Sequence, residues 1–178
     1  SKVFVNDINL ASESVDCAFY NLKLENIIKA LELKSKEVHV RIVLEGDNYK
    51  DQIKGENIRL AKRDGWGIMH DKFCVIDGDR VITGSYNPST KSPKYDNNVI
   101  VINSKFIALN YEDEFKELWD NELGGGGAVE YPVVELGGKR VENYFCPDDH
   151  CAEKIIDLIK EAEESVYFMT YSFTSEEI

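Results

Sequence analysis

The segment Ala11-Ser12-Glu13-Ser14-Val15 returns 151 positions later as Ala162-Glu163-Glu164-Ser165-Val166. At that offset Tyr20 meets Tyr171, Glu25 meets Glu176 and Ile27 meets Ile178, so seven of 17 aligned pairs are identical. Similarity at one fixed, long offset marks a repeated structural unit. It constrains the fold more than any local pattern, because whatever 11–27 builds, 162–178 is written to build again. The expected division is a first domain over 1–123, a Gly-rich linker over 124–142 that opens with Gly124 to Gly127, and the start of a second unit over 143–178.

The periodicities say what one unit contains. Val15 to Tyr20 reads as a buried strand after a short helical tail, and Asn26 to Leu33 carries Ile27, Ile28, Leu31 and Leu33 in the register of an amphipathic helix. Val38 to Leu44 alternates apolar and polar residues as a strand does. After a polar loop over 45–57, Ile58 to Ala61 is a short strand. Met69 to Asp77 and Arg80 to Gly84 form two strands around Asp77-Gly78-Asp79, where the Asp-Gly pair favours a hairpin. Asn98 to Ile102 is a further strand, and Ser104 caps a helix running to Trp119. In the repeat, Lys154 to Glu164 is expected as a helix and Val166 to Phe173 as a strand. Strands and helices mixed on this rhythm predict an α/β fold built on a mixed β-sheet flanked by helices on both faces.

Charge narrows the function. The net charge of -12 argues against a protein coated in basic patches, such as a histone-like DNA binder. The acidity is uneven: residues 1–47 sum to -2, 48–94 to +3 and 95–178 to -13. No apolar run approaches the ~20 residues that span a bilayer, so no transmembrane segment is expected. Nothing at the N-terminus resembles a secretory signal, and a cytoplasmic protein is expected. Four cysteines in a chain of this size do not make a disulfide scaffold. Cys17 and Cys74 read as small buried hydrophobes. Cys146 and Cys151 flank a loop before a helix, with room for a disulfide; their spacing is not a standard zinc pattern.

The positive window holds Met69-His70-Asp71-Lys72-Phe73-Cys74-Val75-Ile76-Asp77, which is His-x-Lys-x4-Asp. On a strand, His70 and Lys72 point to one face, and an imidazole beside an ammonium suits an anionic substrate. Eight residues after Asp77 comes Ser85, in Gly84-Ser85-Tyr86-Asn87, a glycine-framed hydroxyl and an amide just past the next strand. His39 and His150 are not followed by Lys two residues on, so neither opens a second motif.

With these motifs the chain resembles the phospholipase D superfamily, whose signature is His-x-Lys-x4-Asp followed closely by Gly-Ser-x-Asn. Met69, the Asp77-Gly78 turn, the NVIVI strand from Asn98 and the helix end Phe115-x-x-Leu118-Trp119 extend the likeness across 8–122. Tyr144-Phe145-Cys146-Pro147 resembles the opening of a second unit. One departure is Asn97, where family members often carry Glu, which weakens a supporting hydrogen bond. The resemblance implies a phosphodiesterase needing no cofactor and no metal. His70 would attack phosphorus to form a phosphohistidine, and Lys72, Ser85 and Asn87 would bind the phosphate oxygens. Asp77 would accept from the imidazole N–H and hold its tautomer. A second histidine would have to come from a homodimer or a second half, since a leaving oxygen needs its own acid. Nucleic acid is the favoured substrate, with Lys50, Lys54, Arg59, Lys62, Arg63, Lys91 and Lys94 flanking the motif to track a phosphate backbone. Phospholipase or phosphatidyltransferase action on a lipid head group is the alternative, and a non-catalytic scaffold that binds phosphate groups or a partner is a third.

Overall fold

A computed structural model describes residues 1–55, 58–63, 67–122 and 126–178, with the backbone alone at 59–61 and 63. The elements run α1 (Lys2–Leu10), β1 (Ser14–Phe19), α2 (Glu25–Lys34), β2 (His39–Glu45), β3 (Ile58–Arg63), β4 (Lys72–Ile76), β5 (Arg80–Gly84) and β6 (Val99–Asn103). Then follow α3 (Lys105–Trp119), β7 (Val133–Leu136), β8 (Lys139–Glu142) and α4 (Cys151–Glu161). The first six strands form one sheet of order β3-β2-β1-β4-β5-β6. β1 pairs with β2 and β2 with β3 in parallel; β1–β4, β4–β5 and β5–β6 are antiparallel.

Local chemistry explains the joints. The β4–β5 hairpin turns on Asp77 and Gly78, both at positive φ (54° and 63°), the conformation a two-residue turn demands and Asp-Gly tolerates. Ser104 caps α3, its hydroxyl accepting from the Ile107 N–H at 3.4 Å.

Helices cover both faces, as the periodicity requires. On one, Phe4 and Ile8 of α1 and Ile27 and Leu31 of α2 pack over Val15, Cys17, Phe19, Val40, Ile42 and Leu44. On the other, Ile107, Ala108, Phe115 and Leu118 of α3 pack over Ala18, Val43, Phe73, Val75 and Val81. Burial on both faces is why β1 and β4 read as near-continuous apolar runs. Truncating a fully buried ring such as Phe115 costs about 3–5 kcal/mol.

The structure departs from the sequence expectations at four places. The strand expected from Met69 begins only at Lys72, because the Met69 N–H donates to the Glu45 carboxylate (2.6 Å) instead of to a strand neighbour. The stretch expected to be linker holds the β7–β8 hairpin, which docks on α3. Asn110 bonds the Tyr131 backbone in both directions (2.8 and 3.0 Å), Phe106 meets Tyr131, and Phe145 meets Tyr111. Gly124 and Gly125 lie outside the described residues.

In the repeat, α4 spans Cys151–Glu161, and Val166 to Phe173 is exposed and unpaired where a strand is expected. A strand exists only through its ladder partners, and none adjoins it among the described residues. At offset 151 the buried Phe4 and Ile8 correspond to Ile155 and Ile159, which are 44% and 37% exposed. Finally, all four cysteines are bonded, Cys17 to Cys74 across β1 and β4, and Cys146 to Cys151. Cys17 and Cys74 are buried as expected, but they are a covalent staple and not merely small hydrophobes. Their pairing follows from the β1–β4 register, which sets the two residues directly opposite each other.

Candidate active site

The site forms where β1 ends and β4 begins. The register sets Phe19 opposite Lys72, and the Tyr20 N–H carries the ladder one step further by donating to the Asp71 carbonyl at 3.0 Å. Across β4, Cys74 faces Ile82, so by the same antiparallel count Lys72 faces Gly84. The loop carrying Ser85 and Asn87 therefore leaves the sheet beside the loop carrying His70. Crevices at the carboxyl ends of parallel strands such as β1 and β2 are the usual ligand positions in α/β sheets.

Lys72 is 6% exposed, and its ammonium donates to the backbone carbonyl of His70. The Tyr20 ring centroid lies 5.5 Å from Nζ. Burial is the larger influence on this ammonium and brings its pKa down to about 8, against the opposing pull of Asp71. His70 is exposed and lies on the loop before β4, not on the strand itself. Burial of part of its ring, then the charge of Lys72, hold its pKa below the ordinary histidine value. At neutral pH the imidazole is therefore neutral, the form that attacks an electrophile.

Ser85 is fixed from both sides. Its hydroxyl accepts from the Asn98 N–H (3.0 Å) and donates to the Asn97 side-chain oxygen (3.2 Å). Asn97, the departure noted above, thus still supports Ser85, and its amide also donates to the carbonyls of Ser92 and Tyr95. Gly84 sits at φ 138°, and a Cβ there would stand 2.4 Å from the Asn98 carbonyl, so the turn into Ser85 admits only glycine. The side-chain oxygen of Asn87 is buried and has no hydrogen-bond partner among the described residues.

Asp77 is not part of this cluster. It stands past the far end of β4, about 17 Å from the His70 end at ~3.3 Å of rise per residue. Its carboxylate accepts from the N–H groups of Ser12, Glu13 and Ser14 (2.8, 2.7 and 3.0 Å) and from the Ser12 hydroxyl (3.0 Å). Burial pushes its pKa up, but these donors more than reverse that and hold it below the usual carboxylate value. The expectation that Asp77 orients the imidazole is corrected accordingly: Asp77 locks the α1–β1 loop onto the β4–β5 turn.

Tyr20 is the contact that single-strand patterning misses. Its ring centroid is 4.8 Å from that of His70, at 68°. Of the flanking cations, Lys50, Lys91 and Lys94 are exposed and Lys54 pairs with Asp51 (2.9 Å); the side chains of Arg59 and Arg63 lie outside the described residues. Two grooves lie away from His70. One of about 430 Å³ is lined by Asp113, Glu114, Glu117, Asp120 and Glu122 with Lys116, a set that repels phosphate. The other, about 580 Å³, is centred on the Arg41–Asp16 ion pair (2.6 Å).

The profile of a family described as "Cardiolipin synthase, PLD-like domain" matches residues 4–119. A mitochondrial cardiolipin hydrolase of Chlamydomonas reinhardtii is 28% identical over 127 residues, covering 66% of this chain and 56% of that protein. A phospholipase D of Rickettsia felis is 34% identical over 119 residues, covering 62% and 60%. The chain thus matches less than two thirds of the length of these curated relatives. In fold it is similar to Nuc, a phospholipase D family member from Salmonella typhimurium, with a TM-score of 0.60 at 23% identity over 67% of this chain and 86% of that one. NucT from Helicobacter pylori gives 0.60 at 20% identity, over 67% and 87%. The matched span holds the whole sheet, its two helical layers and the His70–Lys72 junction, and the chain belongs to the phospholipase D superfamily.

Proposed function

We propose that the chain is a metal-independent phosphodiesterase that works through a phosphohistidine on His70, with nucleic acid as its favoured substrate. The observation that carries this reading is the junction of His70 and Lys72. A neutral imidazole and a dehydrated ammonium meet there, beside the loop of Ser85 and Asn87. An imidazole nitrogen attacks phosphorus, and the bond to the leaving oxygen breaks. Lys72 neutralises a non-bridging oxygen and the Asn87 amide donates to the same charge, joined by the Ser85 hydroxyl once its proton turns from Asn97 to the phosphate. The leaving oxygen takes its proton from a second acid; water, giving a proton back to that same group, then attacks phosphorus, the P–N bond breaks, and the neutral imidazole and a phosphomonoester are released. Asp77 takes no part in these steps.

That second acid is supplied by the matching unit, from another copy of the chain or from a second domain. The repeat supports the latter, since α4 and the exposed segment after it correspond to α1 and β1, one helix and one strand of the first unit's core. A strictly monomeric sample of residues 1–178 is therefore expected to turn over phosphodiesters only weakly, and full activity from it would refute the two-unit requirement.

A second reading, hydrolysis of phospholipid head groups, draws on the relatives named cardiolipin hydrolase and phospholipase D. No helix among the described residues is long and apolar enough to cross a membrane. Incubation in EDTA with plasmid DNA, RNA and cardiolipin vesicles separates the two. Cleaved nucleic acid with intact lipid supports the nuclease reading; intact nucleic acid with hydrolysed lipid overturns it. No turnover of any of the three, in a sample shown to be paired, favours a scaffold. Acid-free trapping of labelled phosphate on His70 tests the covalent step, and its absence during turnover removes it.

A further inference from the structure

We infer that Tyr20 is a positioning residue, whose ring sets the plane of the His70 imidazole and walls it against Lys72; the inference rests on the phosphohistidine reading above. With Asp77 at the far end of β4, something else must orient the nucleophile. Among the described residues no hydrogen bond reaches the imidazole nitrogens, and the Tyr20 ring packs against that ring at 4.8 Å and 68°. The same ring lies 5.5 Å from the Lys72 ammonium. One aromatic surface therefore touches both groups that would meet the phosphate.

The backbone makes this contact rigid. Tyr20 follows the last residue of β1, and its N–H donates to the carbonyl of Asp71, the residue between His70 and Lys72. The next turn is tied as well, with the N–H groups of Lys23 and Leu24 both donating to the Pro88 carbonyl (2.6 and 3.0 Å). Tyr20 is thus clamped between the sheet and the loop that carries Ser85 and Asn87. Its ring makes the contacts; among the described residues no hydrogen bond of its hydroxyl enters them. Fixed approach of a nucleophile is worth orders of magnitude in rate, and an imidazole free to rotate about χ2 loses it.

The charged groups of the elements around the imidazole are Lys72 on β4, Asp71 beside it, and Glu45 at the end of β2, whose carboxylate holds the Met69 N–H. Burial, ahead of the Lys72 charge, keeps the pKa of His70 low, and the Tyr20 ring lies against the imidazole. Removing the ring admits water, and the pKa of His70 rises toward its ordinary value.

The test compares Tyr20→Phe, which keeps the ring, with Tyr20→Ala. His70 is titrated by NMR with His39 and His150 as internal references, and turnover of a chromogenic phosphodiester is measured on paired enzyme. Tyr20→Ala is expected to raise the His70 midpoint by about half a pH unit with His39 and His150 unmoved. It is also expected to lower kcat about tenfold with KM changed less than about threefold. Tyr20→Phe restores both readouts. A folded Tyr20→Ala protein with the wild-type His70 midpoint and wild-type kcat overturns the inference. If that variant does not fold, Tyr20→Leu keeps apolar bulk without a flat face, and wild-type kcat in Tyr20→Leu overturns it equally. If the unmutated protein turns over no phosphodiester, the phosphohistidine reading fails by itself, and the NMR titration still decides whether Tyr20 sets the imidazole.

Discussion

Lys72 opens β4 and Asp77 stands just past its end, yet the two charges are housed in opposite ways. Among the described residues the ammonium of Lys72 has one backbone carbonyl and an aromatic ring, and burial weakens its charge. The carboxylate of Asp77 is surrounded by four donors that favour its charge. A buried charge short of partners costs stability and is kept where a ligand completes it; a charge with all its partners holds the fold together. One sequence motif therefore serves two purposes at its two ends. The His-x-Lys end keeps a cation short of partners, which the proposed phosphate site would use, and the Asp end closes the α1–β1 loop onto the sheet.

The most severe break of this contrast is at the chemical end. His70→Ala is expected to lower phosphodiester turnover at least about a thousandfold, as loss of a nucleophile does, while the melting temperature stays close to wild type. Lys72→Met should match that loss of turnover and at the same time raise stability, by about 1–3 kcal/mol, because an apolar chain of similar volume removes the desolvation cost. Thermal unfolding at pH 7 read beside initial rates checks both. A destabilised Lys72→Met protein would mean that the ammonium supports the fold, and the contrast with Asp77 would collapse.

Asp77→Ala should do the reverse. Losing a carboxylate with four donors costs about 1–2 kcal/mol, discounted for its partial exposure, or a melting temperature lower by a few degrees. Its folded pKa is depressed, so its stabilisation is present above the unfolded pKa near 3.8 and is lost as pH falls through the folded value. Turnover per folded molecule should stay within about threefold of wild type. A thousandfold loss in a well-folded Asp77→Ala sample would restore Asp77 to the chemistry.

These two ends differ as well in how far the sequence reveals them. The pairing of His-x-Lys with Gly-Ser-x-Asn was legible because an Asp-Gly turn sets the β4–β5 register, and that register carries Gly84 to the side of Lys72. The alternation of Val38 to Leu44 and the cap at Ser104 fixed elements from local pattern alone. The partners of Asp77 lie 63 to 65 positions upstream, and no spacing rule reaches them. Tyr20 meets His70 only through the β1–β4 pairing, a long-range fact. The β7–β8 hairpin is different: its signal was present in Gly137-Gly138, both at positive φ between two alternating stretches, but the longer glycine run before it suggested a linker. The expected strand at Val166 failed for want of a ladder partner, which local propensity does not supply.

Titration sharpens the contrast further. The folded pKa of Lys72, about 8, lies below the unfolded value of 10.5, so the unfolded chain binds more protons in that window. Stability is therefore expected to rise as pH goes from 8 to 10.5, while turnover falls over the same range as the ammonium loses its charge. On the acid side, turnover falls as His70 protonates, below its ordinary value. Denaturant unfolding and rates measured from pH 5 to 10 check the two curves, and Lys72→Met should remove the rise in stability.

The smallest expected effect tests whether the cost at the His-x-Lys end extends into α3. Glu114 is pushed up to about 8, first by burial and then by the charges of Asp71, Glu117, Asp148 and Asp149. A carboxyl with a raised folded pKa binds its proton more tightly in the fold, so its contribution is intact below about pH 4.5 and is lost as pH rises through 8. Glu114→Gln should therefore leave stability at pH 4 unchanged and raise it at pH 9 by about 1 kcal/mol, after discounting for solvent screening. Because Asp71 sits between His70 and Lys72, the same substitution also leaves the Asp71 charge less opposed. If unfolding at pH 9 is identical in the two proteins, the repulsion around Glu114 is relieved by solvent, and the stability cost of the site is confined to the loop and strand that carry His70 and Lys72.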